Sequence, residues 1–249
     1  MELLIELVQR DLKAKYKNTF LGILWVILQP LLLAIFFVFI SNKLLSNLHE
    51  YRIDYLSMYA VLIPWQFFAT AFQRSVSSIE LTNHLIYRVK FPLILLPLSV
   101  ILSSFVDMLI NVLVFLLLVL FLKKIILFNI VTFILILLFG SLFIISLSIL
   151  FSMLVCFVGD IRHVVPYLIK LSLFALPILY NTDAIPSNVR YYYEHIPLVW
   201  MISNVKELVT GNFKLTTYLD ANVLLLSVTS FLIAYFLFKR LERFIVDYI

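Results

Sequence analysis

Ser99, Ser103, Asp107 and Asn111 stand four residues apart inside a run, 91–122, that is otherwise almost wholly apolar. On a helix that spacing lines a single face. A carboxylate so far from the ends of the run has two uses: a polar point on a transport path, or an interhelical hydrogen-bonding anchor. A second cluster, Arg10, Lys13, Lys15 and Lys17, sits directly before the first apolar run. Such cations pair with phosphate oxygens or anionic lipid, at about 1 kcal/mol each near a membrane surface. Lys170 lies just inside a later run, placed either to snorkel to the nearer interface or to face a path as a lone cation. Tyr191, Tyr192, Tyr193 and Trp200 gather aromatic faces in one segment, as in an interfacial belt. The four histidines, His49, His84, His163 and His195, show no metal-ligand spacing, and Cys156 is the single cysteine, so no internal disulfide forms.

The elements that must position these residues are membrane helices. The chain is 63% hydrophobic and 13% charged, whereas soluble domains carry about a quarter charged residues. Apolar runs at 20–45, 55–73, 91–122, 125–158, 164–180 and 218–238 predict six spans, each needing roughly 20 helical residues. Residues 1–17 predict an amphipathic helix in the interface plane. Leu4, Ile5, Val8, Leu12 and Tyr16 fall on one face and Glu2, Glu6, Gln9, Lys13 and Lys17 on the other. The start of the chain lacks the apolar core and cleavage site of a secretory signal. With both termini cytoplasmic, the inner segments hold Arg10, Lys13, Lys15, Lys17, Arg74, Arg88, Lys90, Arg162, Lys170, Lys239, Arg240 and Arg243. The outer segments then hold Lys43, Arg52, Lys123, Lys124, Arg190, Lys206 and Lys214, fewer of the 19 cations, as the positive-inside rule requires. That placement of the charge also answers a nucleic-acid reading of the net charge of +5.

The outer segment 181–217 is too aromatic for a solvated loop. Pro186 and Pro197 suit helix starts and Gly211 a helix end, which predicts two short re-entrant helices. Gln29-Pro30 interrupts the first span and predicts a kink. The expected organisation is a single all-α domain over 1–249. It comprises an interfacial helix (1–19), five spans (20–180), the outer re-entrant segment (181–217), and the last span with a cytoplasmic tail (218–249).

Four stretches, in order along nearly the whole chain, carry a family resemblance. "RDLKAKYKNTFLGILWVILQPLL" (10–32), "NHLIYRVKFPLILLPLS" (83–99), "GDIRHVVPYLIKLSLFALPILY" (159–180) and "FKRLERFIVDYI" (238–249) resemble the permease subunits of type-2 ABC transporters. The likeness is to the branch that exports lipid-linked O-antigen, capsule or teichoic-acid polymers. Leu93 and Ile94, where that branch often has a charge, and Ile196-Pro197, where it often has Asn-Pro, depart from its pattern. The resemblance implies two copies of the chain around a pore in a bacterial or archaeal cytoplasmic membrane. It implies two copies of a separate ATP-binding subunit that holds ATP and Mg, with no cofactor on this chain. The absence of a Gly-x4-Gly-Lys-Ser/Thr phosphate loop agrees. On this view Asn83, His84, Tyr87, Arg88 and Lys90 form the helix that couples to the ATPase, and Asp160 and Arg162, with His163, a second contact. The polyprenyl-diphosphate end of the substrate would meet Arg10, Lys13, Lys15, Lys17 and Lys170, its path would pass Asp107 and Asn111, and its sugars would slide over an outer gate of Tyr191, Tyr192, Tyr193 and Trp200.

Two other functions compete. An exporter of a different amphiphile, a drug or a free lipid, would share the architecture. A membrane enzyme acting on a polyprenyl carrier needs carboxylates or histidines clustered at one face, and Asp183, Glu194 and His195, or Asp160 and His163, make only sparse groups.

Overall fold

The computed structural model describes residues 2–17, 20–44, 54–82, 91–122, 127–211 and 220–248, and they are helical with no strand among them. The helices are α1 (Glu2–Tyr16), α2 (Leu24–Leu44), α3 (Tyr55–Val76), α4 (Leu95–Phe121), α5 (Leu127–Phe157), α6 (Ile161–Ala175), α7 (Ser187–Glu194), α8 (Pro197–Thr210) and α9 (Ala221–Tyr248). Among the described residues five of these, α2, α3, α4, α5 and α9, are long and apolar enough to cross a membrane. The run expected to make the remaining span, 164–180, becomes α6 and an irregular end. Helix α6 covers only about 22 Å at 1.5 Å per residue, against a core of about 30 Å.

Helix α3 is the hub, with α2, α4, α5 and α8 packed around it. Its hydropathy, 1.2, is the lowest of the five, and its burial, 78%, the highest. The two facts have one cause. A helix lined by protein can carry Ser57, Gln66, Thr70, Arg74 and Ser75, because neighbours supply hydrogen-bond partners that lipid lacks. Helix α9, 22% buried and lying along α5, is apolar on its outward side instead. Aromatic edges lock the hub: the Phe72 ring meets Phe151 of α5 edge-on at 5.0 Å, and Phe67 meets Phe105 of α4 at 5.8 Å.

Helix α8 packs against both α3 and α5 and is buried from Pro197 through Ile202, although only 14 residues long. Pro197 opens it and Gly211, at φ 81°, closes it in the left-handed conformation that favours glycine, as the spacing predicts. Pro186 takes the position before the first helical residue of α7 rather than that residue itself. Close approach of α8 to α5 depends on Gly140, where an added Cβ would overlap the Met201 side chain.

Helix α1 departs from a simple amphipathic strip. Glu2, Glu6, Gln9, Lys13 and Lys17 are exposed as expected, but the packed side includes Asp11 beside Leu7, with Lys15 and Tyr16 half-buried. Polar groups turn inward because α4 offers polar partners, so α1 is bound to the bundle rather than merely resting in an interface.

Candidate functional site

The polar face of α4 is buried along its length, and side chains from α1 and α3 meet it. Ser99 Oγ donates to Asp11 Oδ2 at 2.9 Å, and Arg74 donates to Ser103 Oγ at 3.1 Å. Asp107, 6% exposed, forms an ion pair with Lys15 and accepts a hydrogen bond from the Tyr16 hydroxyl at 2.5 Å. Asn111 donates to the Asp107 carbonyl at 3.0 Å and accepts from Tyr59 at 2.9 Å. Burial, then the hydrogen bond to Asp107, pushes the Tyr16 phenol above its ordinary range, so it stays protonated and donates. The contact with Asp107 lies about 18 Å along α4 from Leu95 at helical rise. The expected path residues Asp107 and Asn111 are thus joined to the expected access residue Lys15. Arg10 pairs with its neighbour Asp11 at 3.1 Å, while Lys13 and Lys17 face outward.

Beside this network lies a cavity of about 420 Å³, bounded by α1, α2, α3 and α4. Lys15, Tyr16, Asp107 and Asn111 line one wall, and Trp25, Gln29 and Gln66 another. Gln66 Nε2 donates to Gln29 Oε1 at 3.2 Å. Pro30 is accommodated inside a continuous α2, and Gln29 turns to α3 rather than to the backbone the proline frees.

At the opposite ends of α3 and α4 from this hydrogen-bonded middle, two kinds of terminus gather. One end of the bundle, the basic end, holds the last turn of α3, the start of α4, the start of α6 and the last part of α9. There Arg162 pairs with Glu80, in a 3-10 turn at Glu80–Thr82, at 2.9 Å, and Glu242 accepts a hydrogen bond from the Leu93 backbone N–H. Asp160 is exposed just before α6, and Arg162 also donates to the Gly159 carbonyl. The coupling candidates Asn83, His84, Tyr87, Arg88 and Lys90 lie outside the described residues, but the residues flanking them, Thr82 and Phe91, belong to this end. Sequence pattern alone did not single out Glu80 or Glu242. Glu242 stands among Lys239, Arg240 and Arg243, which is the available signal, whereas Glu80 lies in an uncharged stretch that offers none.

The other end is the hairpin of α7 and α8. The hydroxyls of Tyr180 and Tyr193 each approach the Ala175 carbonyl oxygen to 2.6 Å and each other to 2.8 Å, closing the C-terminus of α6. Burial, with the Tyr180 hydrogen bond, pushes the Tyr193 phenol above its ordinary range. Lys206 donates to the Tyr180 carbonyl at 2.8 Å, and burial pushes its ammonium down to about 8. Arg190 bridges Asp183 and Glu194, both at 2.7 Å, and His195 Nε2 stands 3.2 Å from Asp220. Of the expected aromatic gate, Tyr191 (61%) and Tyr192 (74%) are exposed, Tyr193 is engaged in the closure of α6, and Trp200 (4%) is buried in the hub. Lys170 stands exposed on α6 with its ammonium 5.5 Å from the Tyr167 ring centre.

A helical bundle with several spans, a polar seam buried inside it and loop ends gathered at a basic face is the plan of a membrane permease rather than of a catalytic pocket. Residues 2–209 match the ABC-2 type transporter family, and the chain belongs to that family. It is similar to the O-antigen export system permease protein RfbA of Klebsiella pneumoniae, 29% identical over 209 residues that cover 83% of this chain and 80% of the relative. A protein of the same name from Myxococcus xanthus is 30% identical over 184 residues, 74% of this chain and 70% of its own length. The chain is therefore a multi-pass membrane permease.

Proposed function

We propose that this permease is the membrane half of an ATP-driven exporter of lipid-linked polysaccharide, working as two copies with two copies of an ATP-binding subunit. The observation that carries the reading is at the basic end, where Glu80, in the turn just before the segment expected to couple to the ATPase, pairs with Arg162 of the second expected contact. A partner seated on this end would then contact both segments together. The basic end is cytoplasmic, and α6 with its irregular continuation to Tyr180 completes a sixth crossing, which leaves both termini on the cytoplasmic side. The names of the relatives support an O-antigen-like cargo within the wider class of lipid-linked glycans.

Lys13 and Lys17, exposed on α1, together with Lys170 on α6, are the cations open to a diphosphate headgroup. Lys15 is already paired with Asp107, so its part is to hold α1. Tyr191 and Tyr192 serve as the outer aromatic gate, and α7 and α8 as the re-entrant hairpin that bears it, with Trp200 as its buried anchor. The ATP and Mg belong to the partner.

The test is charge exchange at the basic end in cells that depend on the chain for surface glycan. Glu80→Arg should lower export about tenfold or more while leaving the amount of folded permease unchanged, since an exposed pair adds only about 0–1 kcal/mol of stability. Adding Arg162→Glu should restore most of the export. Normal export from the single Glu80→Arg variant would remove the coupling role of the pair.

A further inference from the structure

We propose that the cavity among α1, α2, α3 and α4 is a subsite for an uncharged glycosyl group, held by the Gln29–Gln66 pair against the face of Trp25. The proposal rests on the polysaccharide reading above and names what one part of the path recognises.

Charge is the first argument. The charged residues lining the cavity are Lys15 and Asp107, and they pair with each other. An anion drawn to Lys15 would have to pull it from Asp107, leaving a buried carboxylate with the Tyr16 hydroxyl alone. The cavity therefore disfavours phosphate, although it contains a lysine.

Unused hydrogen-bonding capacity is the second. A carboxamide carries two N–H donors and a carbonyl acceptor. With Gln66 Nε2 donating to Gln29 Oε1, the amide N–H groups of Gln29 and the carbonyl of Gln66 remain, a donor and an acceptor side by side. The neighbouring Thr70 hydroxyl turns to the Gln66 and Phe67 backbone carbonyls of its own helix and does not compete. Both glutamines belong to spanning helices, where lipid tails could not satisfy them. Adjacent hydroxyls of a sugar ring can do so, because each both donates and accepts.

Shape is the third. Trp25, 41% exposed, offers an aromatic face to the apolar C–H side of a pyranose. The volume of about 420 Å³ falls in the range of about 300–1,000 Å³ of small-molecule sites. It admits a short glycosyl segment and not a coiled polymer, as a path for a threaded chain requires.

The test uses the full permease with its native partners in cells. Photoreactive benzoyl-phenylalanine replaces Thr70, which lines the cavity and makes none of the proposed contacts, and ultraviolet illumination should attach glycan to the permease as a slow-migrating ladder that stains after periodate oxidation. Gln29→Leu combined with Gln66→Leu should lower the adduct yield about fivefold or more, as expected for lost hydrogen bonds. The milder Gln29→Asn should keep more of it. Absence of the adduct in cells whose surface glycan depends on the chain would overturn the subsite and leave the exporter reading intact. An adduct that persists undiminished in the double leucine variant would overturn the role of the glutamines. Surface glycan that does not depend on the chain would overturn the exporter reading and the subsite with it.

Discussion

Asp107 concentrates the physics of single residues in this chain. A carboxylate within a spanning helix is costly unless paired, and here Lys15 and Tyr16, more than ninety positions earlier in sequence, supply the pairing. Lys15→Met should therefore lower stability by about 2–4 kcal/mol, because it leaves the acid unpaired. Asp107→Asn should cost less, since an amide needs no counter-charge, and the two together less than their sum. Thermal midpoints of the purified permease in mild detergent form the required double-mutant cycle. Strict additivity would mean that the two groups act independently. The four-residue spacing of the stripe was legible in the sequence, and so was the candidacy of Asp107. Its partner was not, because the cations of 10–17 have equally good uses at a lipid surface, and only tertiary packing selects Lys15 for the interior.

At the scale of elements, the α7–α8 hairpin is held at several points. Gly140 provides the space where α8 meets α5, and Gly140→Ala should destabilise by about 1–3 kcal/mol through overpacking against Met201. Met201→Ala added to it should recover part of the loss, which a backbone effect of the glycine alone would not allow. Tyr193→Phe removes a hydroxyl from the closure of α6 and should cost about 1 kcal/mol. Lys206 adds a pH dependence. Its folded-state value of about 8 lies below the ordinary 10.5, so the folded state holds the proton less tightly than the unfolded state does. Stability from this group is complete above about pH 10.5 and is lost as pH falls through about 8. The difference in thermal midpoint between the native chain and Lys206→Met should change in that window and be flat below it. Helix boundaries were mostly readable, since Pro197 and Gly211 mark α8 and the apolar runs mark the five long spans. The fifth apolar run, 164–180, extends beyond its helix, because Pro177 ends regular helix geometry near Leu176, whose φ and ψ are extended. The inward turn of α1 was likewise hidden, since its apolar positions alone predict the wrong edge of the packed face.

At the scale of the molecule, the described residues form a bundle with two unlike ends. The basic end brings Glu80, Arg162, Leu93 and Glu242 into contact, and the hairpin end closes over α6 and the start of α9. Helix α3 runs between them, its last turn at the basic end and its packed face against α8 of the hairpin. Membership of the ABC-2 type transporter family fixes the chain as a permease and leaves its motor and cargo as the central claim. The most direct measurement is to purify the tagged chain from native membranes in mild detergent, identify what accompanies it, and follow ATP hydrolysis by the preparation. The account expects a stoichiometric subunit carrying a phosphate-loop motif, with hydrolysis that falls in the Glu80→Arg variant. A chain that purifies without any ATP-binding subunit, and on its own turns over a polyprenyl-linked substrate, would contradict it.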